Sequence, residues 1–456
     1  MTDLEGTTRA LIDKKWSKEE IISKLVQEYL VYKEIPEEQA TQLANAVFEE
    51  CVTSEYSGED PLVKAILEIP KASIAVGEQG VGCRGVGDFF IHKLIADLSV
   101  TSTETEAYLS PKSLDDAGAV KLPEGYKSGD EYLIISKMEG MHSRLSDFPF
   151  LAGFHVTRAG LRDIFVKGAI PISIMVDVHL GDDADVGKLF DFMAGISAVA
   201  ELAKVPITAG STLRIGGDMV IGTRITGGIA VVGLAKSLLA RRDIQIGDKI
   251  LMTEGAGGGT ISTTAIYSGN HDALKATMNI KFLTAVKAIL ESEFLPEIRA
   301  MCDVTNGGLR GDLYEIIYES KTGVEISITE VEDLVDPPVL DLLQKTNVDY
   351  LGVSLDALLL FASPEVSENI MKLVRDVGVK ITEIGQVTDS SQVIFKSKTG
   401  ESVVMPRFRE SAYTPIKKVI GEEDPEKKND MERKIEQSAT DSIKKRERII
   451  QFIRKS

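Results

Sequence analysis

The spacing of apolar positions changes character several times along this chain, and each change marks a part of it. From residue 1 to about residue 56 the chain reads as helical and separate. Ser17-Lys-Glu-Glu20 has the form of a capping box, and Ile21, Ile22, Leu25, Tyr29 and Leu30 recur on one face behind it. A second helix is expected after Pro36, burying Ala40, Leu43, Ala44, Val47 and Phe48. A short β-prone run, Ser73-Ile-Ala-Val76, then leads into a glycine-rich turn, Gly77 to Asp88. A helix pattern with Phe90, Leu94, Ile95 and Leu98 on one face follows, with Asp88 as its expected N-cap.

Strand and helix patterns alternate from there. Glu131 to Ser136 is strand-like, and Phe154 to Gly168 reads as a helix with Arg158, Arg162 and Asp163 on its polar face. Glycine and proline at Gly168 and Pro171 end it. Ile172 to Val178 is a strand, Val186 to Lys204 a helix, and Val205 to Thr212 and Gly228 to Gly233 complete one α/β unit. After a connection from Ala235 to Ile246 the alternation resumes: strand Lys249 to Thr253, a glycine loop Glu254 to Thr260, and a helix. Met301 to Leu309 carries an acid before a glycine pair that opens a helix reaching Tyr318. Leu351 to Phe361 reads as buried strand and Val366 to Val377 as helix. From Gly421 the chain is dominated by charged residues with a thin apolar stripe at Met431, Ile435, Ala439, Ile443, Ile449 and Ile453, a docking or solvated helix. The expected division is a helical extension over 1–65, two α/β domains over 66–235 and 236–410, and a charged helical tail over 411–456.

Composition narrows the function classes. A net charge of −18 repels nucleic acid and anionic membrane, so neither is an expected partner. No apolar run is long enough to span a bilayer and the first residues lack a signal-peptide pattern, so a cytoplasmic location is expected. The three cysteines, Cys51, Cys83 and Cys302, have neither zinc spacing nor a disulfide framework.

The candidate chemistry lies between Val76 and Gly118. Gly80, Gly82, Gly85 and Gly87 precede a helix N-terminus, where backbone N–H groups and the helix dipole favour an anion, with Arg84 as a charge partner. Asp115 and Asp116 are adjacent carboxylates in a tight turn, hard oxygen donors suited to magnesium, or simply a solvated turn. Glu139 ends a strand before a glycine. Gly257 and Gly258 lie in a second strand, glycine loop, helix unit that lacks the lysine of a P-loop. Gly80-Val-Gly82-Cys-Arg-Gly85 also fits a dinucleotide fingerprint, but no second strand ending in a ribose-binding acid follows at the required distance. Cys83 reads as an activated thiol or a small buried side chain, and His142 as a site residue or a structural one.

Taken in order, these motifs resemble the ATP-dependent superfamily of aminoimidazole ribonucleotide (AIR) synthetase, selenophosphate synthetase, thiamine-monophosphate kinase and the hydrogenase-maturation dehydratase. Asp115-Asp116-Ala-Gly-Ala-Val is similar to the metal-binding motif of the thiamine-monophosphate kinases, and Glu139-Gly-Met-His-Ser-Arg144-Leu to a motif of AIR synthetase. Arg162-Asp163-Ile-Phe-Val-Lys-Gly168-Ala-Ile-Pro171 and Met301-Cys-Asp303-Val-Thr-Asn-Gly-Gly308-Leu309 resemble two further family motifs. The resemblance implies a two-domain α/β (α+β) fold whose N-terminal mixed sheet dimerises through its strands, ATP and Mg2+ as cofactors, and phosphoryl transfer to a small-molecule substrate. It further implies Asp115, Asp116, Glu139 and Asp163 as metal ligands, and Asp116, Asp163 and Asp303 as catalytic groups. Gly80, Gly82, Arg84, Gly85, Gly87, Arg144, Gly257 and Gly258 would contact the nucleotide. Glu139, Arg162 and Ser211 depart from the family residues, Val81 replaces the reactive Cys or selenocysteine of selenophosphate synthetase, and no terminal cysteine is present. A non-catalytic assembly protein, with a partner on the terminal helices, is the alternative these departures leave, followed by a dinucleotide oxidoreductase.

Overall fold

The computed structural model describes residues 2–53, 59, 72–74, 76–80, 85–99, 107–109, 111–113, 115–121, 132–305, 307–410 and 412–455. Among these, the first large sheet has the strand order β2 (Gly118–Lys121), β3 (Leu133–Gly140), β7 (Ile225–Ala235), β4 (Ile170–Leu180), β5 (Ile207–Arg214). All neighbours are antiparallel except β4 and β5. Alternation along the strands sends Ile135, Ile174, Val176, Ile229 and Val231 to one face, where the helices Pro149–Phe165 and Gly187–Ala203 cover them. Among the described residues nothing covers the opposite face. Val120, Met138, Ile170 and Leu213 stand on it at 47%, 67%, 50% and 54% exposure.

The second large sheet runs β14 (Gly400–Val403), β13 (Val393–Ser397), β10 (Gly323–Ser327), β12 (Ile381–Thr388), β8 (Lys249–Thr253), β11 (Ala357–Ala362), β9 (Ile298–Val304). Its inner strand β11, between β8 and β9, is wholly buried, as the apolar run Ala357 to Ala362 requires for a strand packed on both faces. One face shares an apolar cluster with the first domain through Phe282, Val286, Met301 and Leu360, so the two domains are joined by a continuous core. The other face packs on Leu309, Leu313, Val339 and Leu343.

The N-terminal helices Leu4–Asp13, Lys18–Tyr32 and Glu37–Thr53 form their own small core. The capping box is present: the Glu20 N–H donates to Ser17 Oγ at 3.2 Å and the Ser17 N–H to Glu20 Oε2 at 2.8 Å. β1 (Thr2–Asp3) pairs with β6 (Val220–Ile221), and Lys33 bonds Asp182 and Asp183, so this unit is fastened to the first domain. At the other end a strap from Arg407 to Glu422, holding the short helix Pro415–Ile420, crosses back over the chain before the helix Lys428–Lys455. Among the described residues no helix is long and apolar enough to cross a membrane.

Four local expectations are corrected. Residues 72–74 are irregular and Val76 opens a four-residue helix, because this stretch folds back so that the Gln79 amide donates to the Gly87 carbonyl at 3.0 Å. The following helix begins at Val86, which makes Asp88 a first-turn residue facing His92 at 3.5 Å instead of its cap. Pro149 starts the next helix five residues before Phe154, the position where a missing N–H costs nothing. The strand expected from Leu351 begins only at Ala357, because Asp356 has a left-handed backbone (φ 55°).

The strap is seated on the glycine turn. The Val86 and Gly87 N–H groups donate to the carbonyls of Arg407 and Phe408 at 3.1 and 3.4 Å. A Cβ at Gly85 would lie 2.4 Å from both carbonyl oxygens. Gly85→Ala is therefore expected to cost roughly 1–3 kcal/mol and to unseat the strap first, seen as faster amide exchange over residues 407–420 than over β11.

Candidate functional site

The polar residues expected on the solvent face of the Pro149–Phe165 helix are buried between the domains instead. Arg158 donates to the carbonyls of Thr277, Asn279 and Gly257 at 2.7, 2.7 and 2.8 Å and pairs with Asp356. One turn on, Arg162 also pairs with Asp356, while its Nε donates to Asp303 at 2.7 Å. Burial alone would raise the Asp356 pKa, but the two guanidinium groups overcome it and hold the carboxyl at about 2.

Beside this network a cleft of about 670 Å³ opens between the domains. Asp116, Glu139 and Asp163 line it from the first domain, Asp303 from the second. Strand alternation places Lys137 and Glu139 on the same face of β3, and the Lys137 ammonium sits 3.4 Å from Glu139 and 2.7 Å from Asp163. The Asp163 carboxyl is pushed up, by burial first and then by the charge of Glu139 and Asp116, against the pull of Lys137 and Arg162. A cation entering here would relieve that repulsion.

Asp115 and Asp116 have other partners. The buried Lys167 lies 2.6 Å from Asp115 and 3.2 Å from Asp116, and the equally buried Arg241 pairs with Asp116 and donates its backbone N–H to Asp115 at 3.2 Å. A metal ion at this pair would have to share the two carboxylates with Lys167 and Arg241. Among the described residues no three His, Cys, Asp or Glu converge as a protein-only metal cage. Magnesium, however, commonly takes one or two carboxylates and leaves its other positions to phosphate oxygens and water. Glu139 and Asp163 fit that donor set.

The structure separates the expected nucleotide contacts. Gly258 lines the cleft at the start of the Gly259–Ser268 helix, and Arg144 lines it with its guanidinium 4.6 Å from the centre of the Tyr267 ring. Gly257 turns its carbonyl to Arg158. Gly80, Gly85 and Gly87 meet the side chain of Arg409 and the backbone or ring of residues 407 and 408, and the described end of their turn places Asp88 on the cleft lining. Gly82, Cys83 and Arg84 lie outside the described residues. His142 lines the cleft: its Nε2 is 2.7 Å from the Tyr413 hydroxyl, and its pKa is lowered to about 4 by burial and by Lys417 and Arg144.

Two domain models match the chain: AIR synthase related protein, N-terminal domain, over residues 114–235, and the C-terminal domain of the same family over residues 245–398. The chain belongs to the AIR synthase related family. Uncharacterized protein MJ1416 of Methanocaldococcus jannaschii is 43% identical over 459 residues, covering 100% of this chain and 99% of that one. A selenide, water dikinase of Myxococcus xanthus is 25% identical, over 50% of this chain and 61% of its own length. Among solved structures, the HypE–HypF complex matches with a TM-score of 0.55 at 17% identity over 70% of this chain and 99% of that chain. Hydrogenase maturation protein HypE in complex with ATP matches at 0.52, with 18% identity over 64% and 88%. This AIR synthase related protein thus shares its two-domain fold with an ATP-binding protein.

Lys137, Arg158, Lys167, Arg241, Asp356, Tyr413 and Lys417 were not singled out from the sequence. Two carried a readable signal: Asp356 is a lone charge inside an apolar run, and Lys137 stands two residues from Glu139 on a strand. Breaking the interdomain network in Asp356→Asn should cost on the order of 3–5 kcal/mol in denaturant unfolding. Because the folded carboxyl titrates at about 2 and an unfolded one at about 3.9, its stabilisation is complete above the unfolded value. It is lost as the pH falls towards the folded one, so the acid limb of the stability curve should be shallower in the variant.

Proposed function

We propose that this AIR synthase related protein transfers a phosphoryl group from ATP to a small-molecule substrate, with magnesium held by Glu139 and Asp163. The observation that carries the reading is the interdomain cleft, where these two carboxylates share one ammonium near the N-terminal turn of a helix. The first N–H groups of any α-helix lack an acceptor within it, so the turn at Gly259 and Thr260 suits the phosphate chain. Magnesium, when bound, neutralises charge on the phosphate oxygens as the phosphoryl group moves. Lys137 bridges Glu139 and Asp163 with one ammonium, and Arg162 fixes Asp303 at the cleft wall. Asp116, anchored by Lys167 and Arg241, adds negative potential behind Asp163. The names of two similar proteins, a dikinase and a maturation protein in complex with ATP, support nucleotide chemistry.

Calorimetric titration with ATP, with and without magnesium, tests this. Magnesium-dependent binding should weaken at least about tenfold in Asp163→Asn, as loss of a charge-assisted contact implies. Absence of ATP binding by the parent protein would sink the reading.

The uncovered apolar face of the first sheet is proposed as a homodimer interface, since contiguous exposed apolar surface on a sheet calls for a partner. Sedimentation should give a dimer for the parent chain and a monomer for Met138→Glu.

A second reading has its own support. The 28-residue helix Lys428–Lys455 leaves Phe452 and Ile453 exposed at 51% and 64%, as a docking helix would. One similar structure is of a complex between HypE and HypF. A nucleotide-binding assembly protein would bind ATP without releasing ADP when small molecules are supplied.

A further inference from the structure

The cleft has a charge asymmetry that the nucleotide does not account for. Its acids, Asp116, Glu139 and Asp163, act on one another, as the raised Asp163 carboxyl reports. A separate group surrounds His142: Arg144, Tyr413 and Lys417, all lining the cleft. Each cation of that group is steadied by an aromatic ring, Arg144 by Tyr267 at 4.6 Å and Lys417 by Tyr413 at 4.5 Å from the ring centre.

Hydrogen bonding fixes the ring that holds Lys417. Thr263 Oγ1 donates to the Gly259 carbonyl at 2.7 Å, so at 3.2 Å it accepts from His142 Nδ1–H. His142 Nε2 is then bare and accepts the Tyr413 O–H at 2.7 Å. Burial, Lys417 and Arg144 together keep this imidazole neutral above about pH 4, so the positive charge at this end stays on the two longer side chains. Tyr413 and Lys417 belong to the strap, which lies beyond residue 398, where the match to the family's C-terminal domain stops. Both side chains thus lie outside the residues matched by the two domain models.

We propose that Lys417 and Arg144 form an anion-binding wall that takes the acid group, phosphate or carboxylate, of the substrate that accepts the phosphoryl group. Tyr413 is the positioning residue for Lys417. This rests on the phosphoryl-transfer reading, which assigns the acidic side of the cleft to magnesium and the nucleotide phosphates. Placing the substrate acid on the opposite, cationic side keeps two anions apart until the ion between them neutralises one.

The test is calorimetric titration of the full chain with inorganic phosphate and with malonate, each with and without a saturating non-hydrolysable ATP analogue and magnesium. At least one probe should bind in the presence of the analogue, and Lys417→Gln should weaken it about tenfold, as loss of a charge-assisted hydrogen bond implies. Tyr413→Leu should weaken it similarly, whereas Tyr413→Phe, which keeps the ring under the ammonium, should hold the loss to about twofold. Thermal melting of each variant confirms that it is folded. The proposal is overturned if neither probe binds the parent chain, if Lys417→Gln binds as well as the parent, or if the analogue displaces the probe. Displacement would assign the wall to the nucleotide itself. Failure of the analogue to bind removes the phosphoryl-transfer reading and, with it, the substrate assignment, while the probe titrations on the nucleotide-free chain still decide whether Lys417 holds an anion.

Discussion

Buried charge tolerates no vacancy, and the geometry of this protein follows from that rule. Arg158 and Arg162, on one helix of the first domain, are taken out of water by the second domain and must find their counter-charges there. Asp303 at the end of β9 and Asp356 just before β11 supply them. Apolar contact alone is non-directional and would let the two sheets slide; two guanidinium groups sharing one carboxylate allow a single register. The cleft opens beside this joint, so the groups that line it from the two domains are held in fixed relation by charges set a few residues away.

The fold was largely legible because its elements announce themselves locally. The capping box at Ser17, the proline and glycine that bracket helices and the apolar run of β11 all depend on neighbours within a few positions. What stayed hidden was which polar residues would be buried. Arg158 and Arg162 have the spacing of a solvated helix face, and only the arrival of a second domain about 140 to 200 residues later turns that face inward. The same holds for the candidate site. The acids were readable as a set, since motif order names them, but their partners Lys137, Lys167 and Arg241 are ordinary lysines and arginines until the chain is folded.

The glycine-rich turn shows the limit most sharply. Its spacing fits phosphate binding, and at its described end the Val86 and Gly87 N–H groups receive the carbonyl oxygens of Arg407 and Phe408. A backbone carbonyl and a phosphate oxygen ask the same of a glycine turn, namely close approach without a Cβ. Sequence alone does not separate the two.

That pairing joins residues more than 300 positions apart, with Arg409 also bonded to the carbonyl of Glu78. During synthesis both sheets can emerge and pair while the strap is still unmade. Lys417 and Tyr413 follow the strands of both sheets in the sequence, so a nascent chain can form both sheets before these two side chains reach the cleft. The strap is thereby the late partner of an early turn, laid across a scaffold whose strands are already in place.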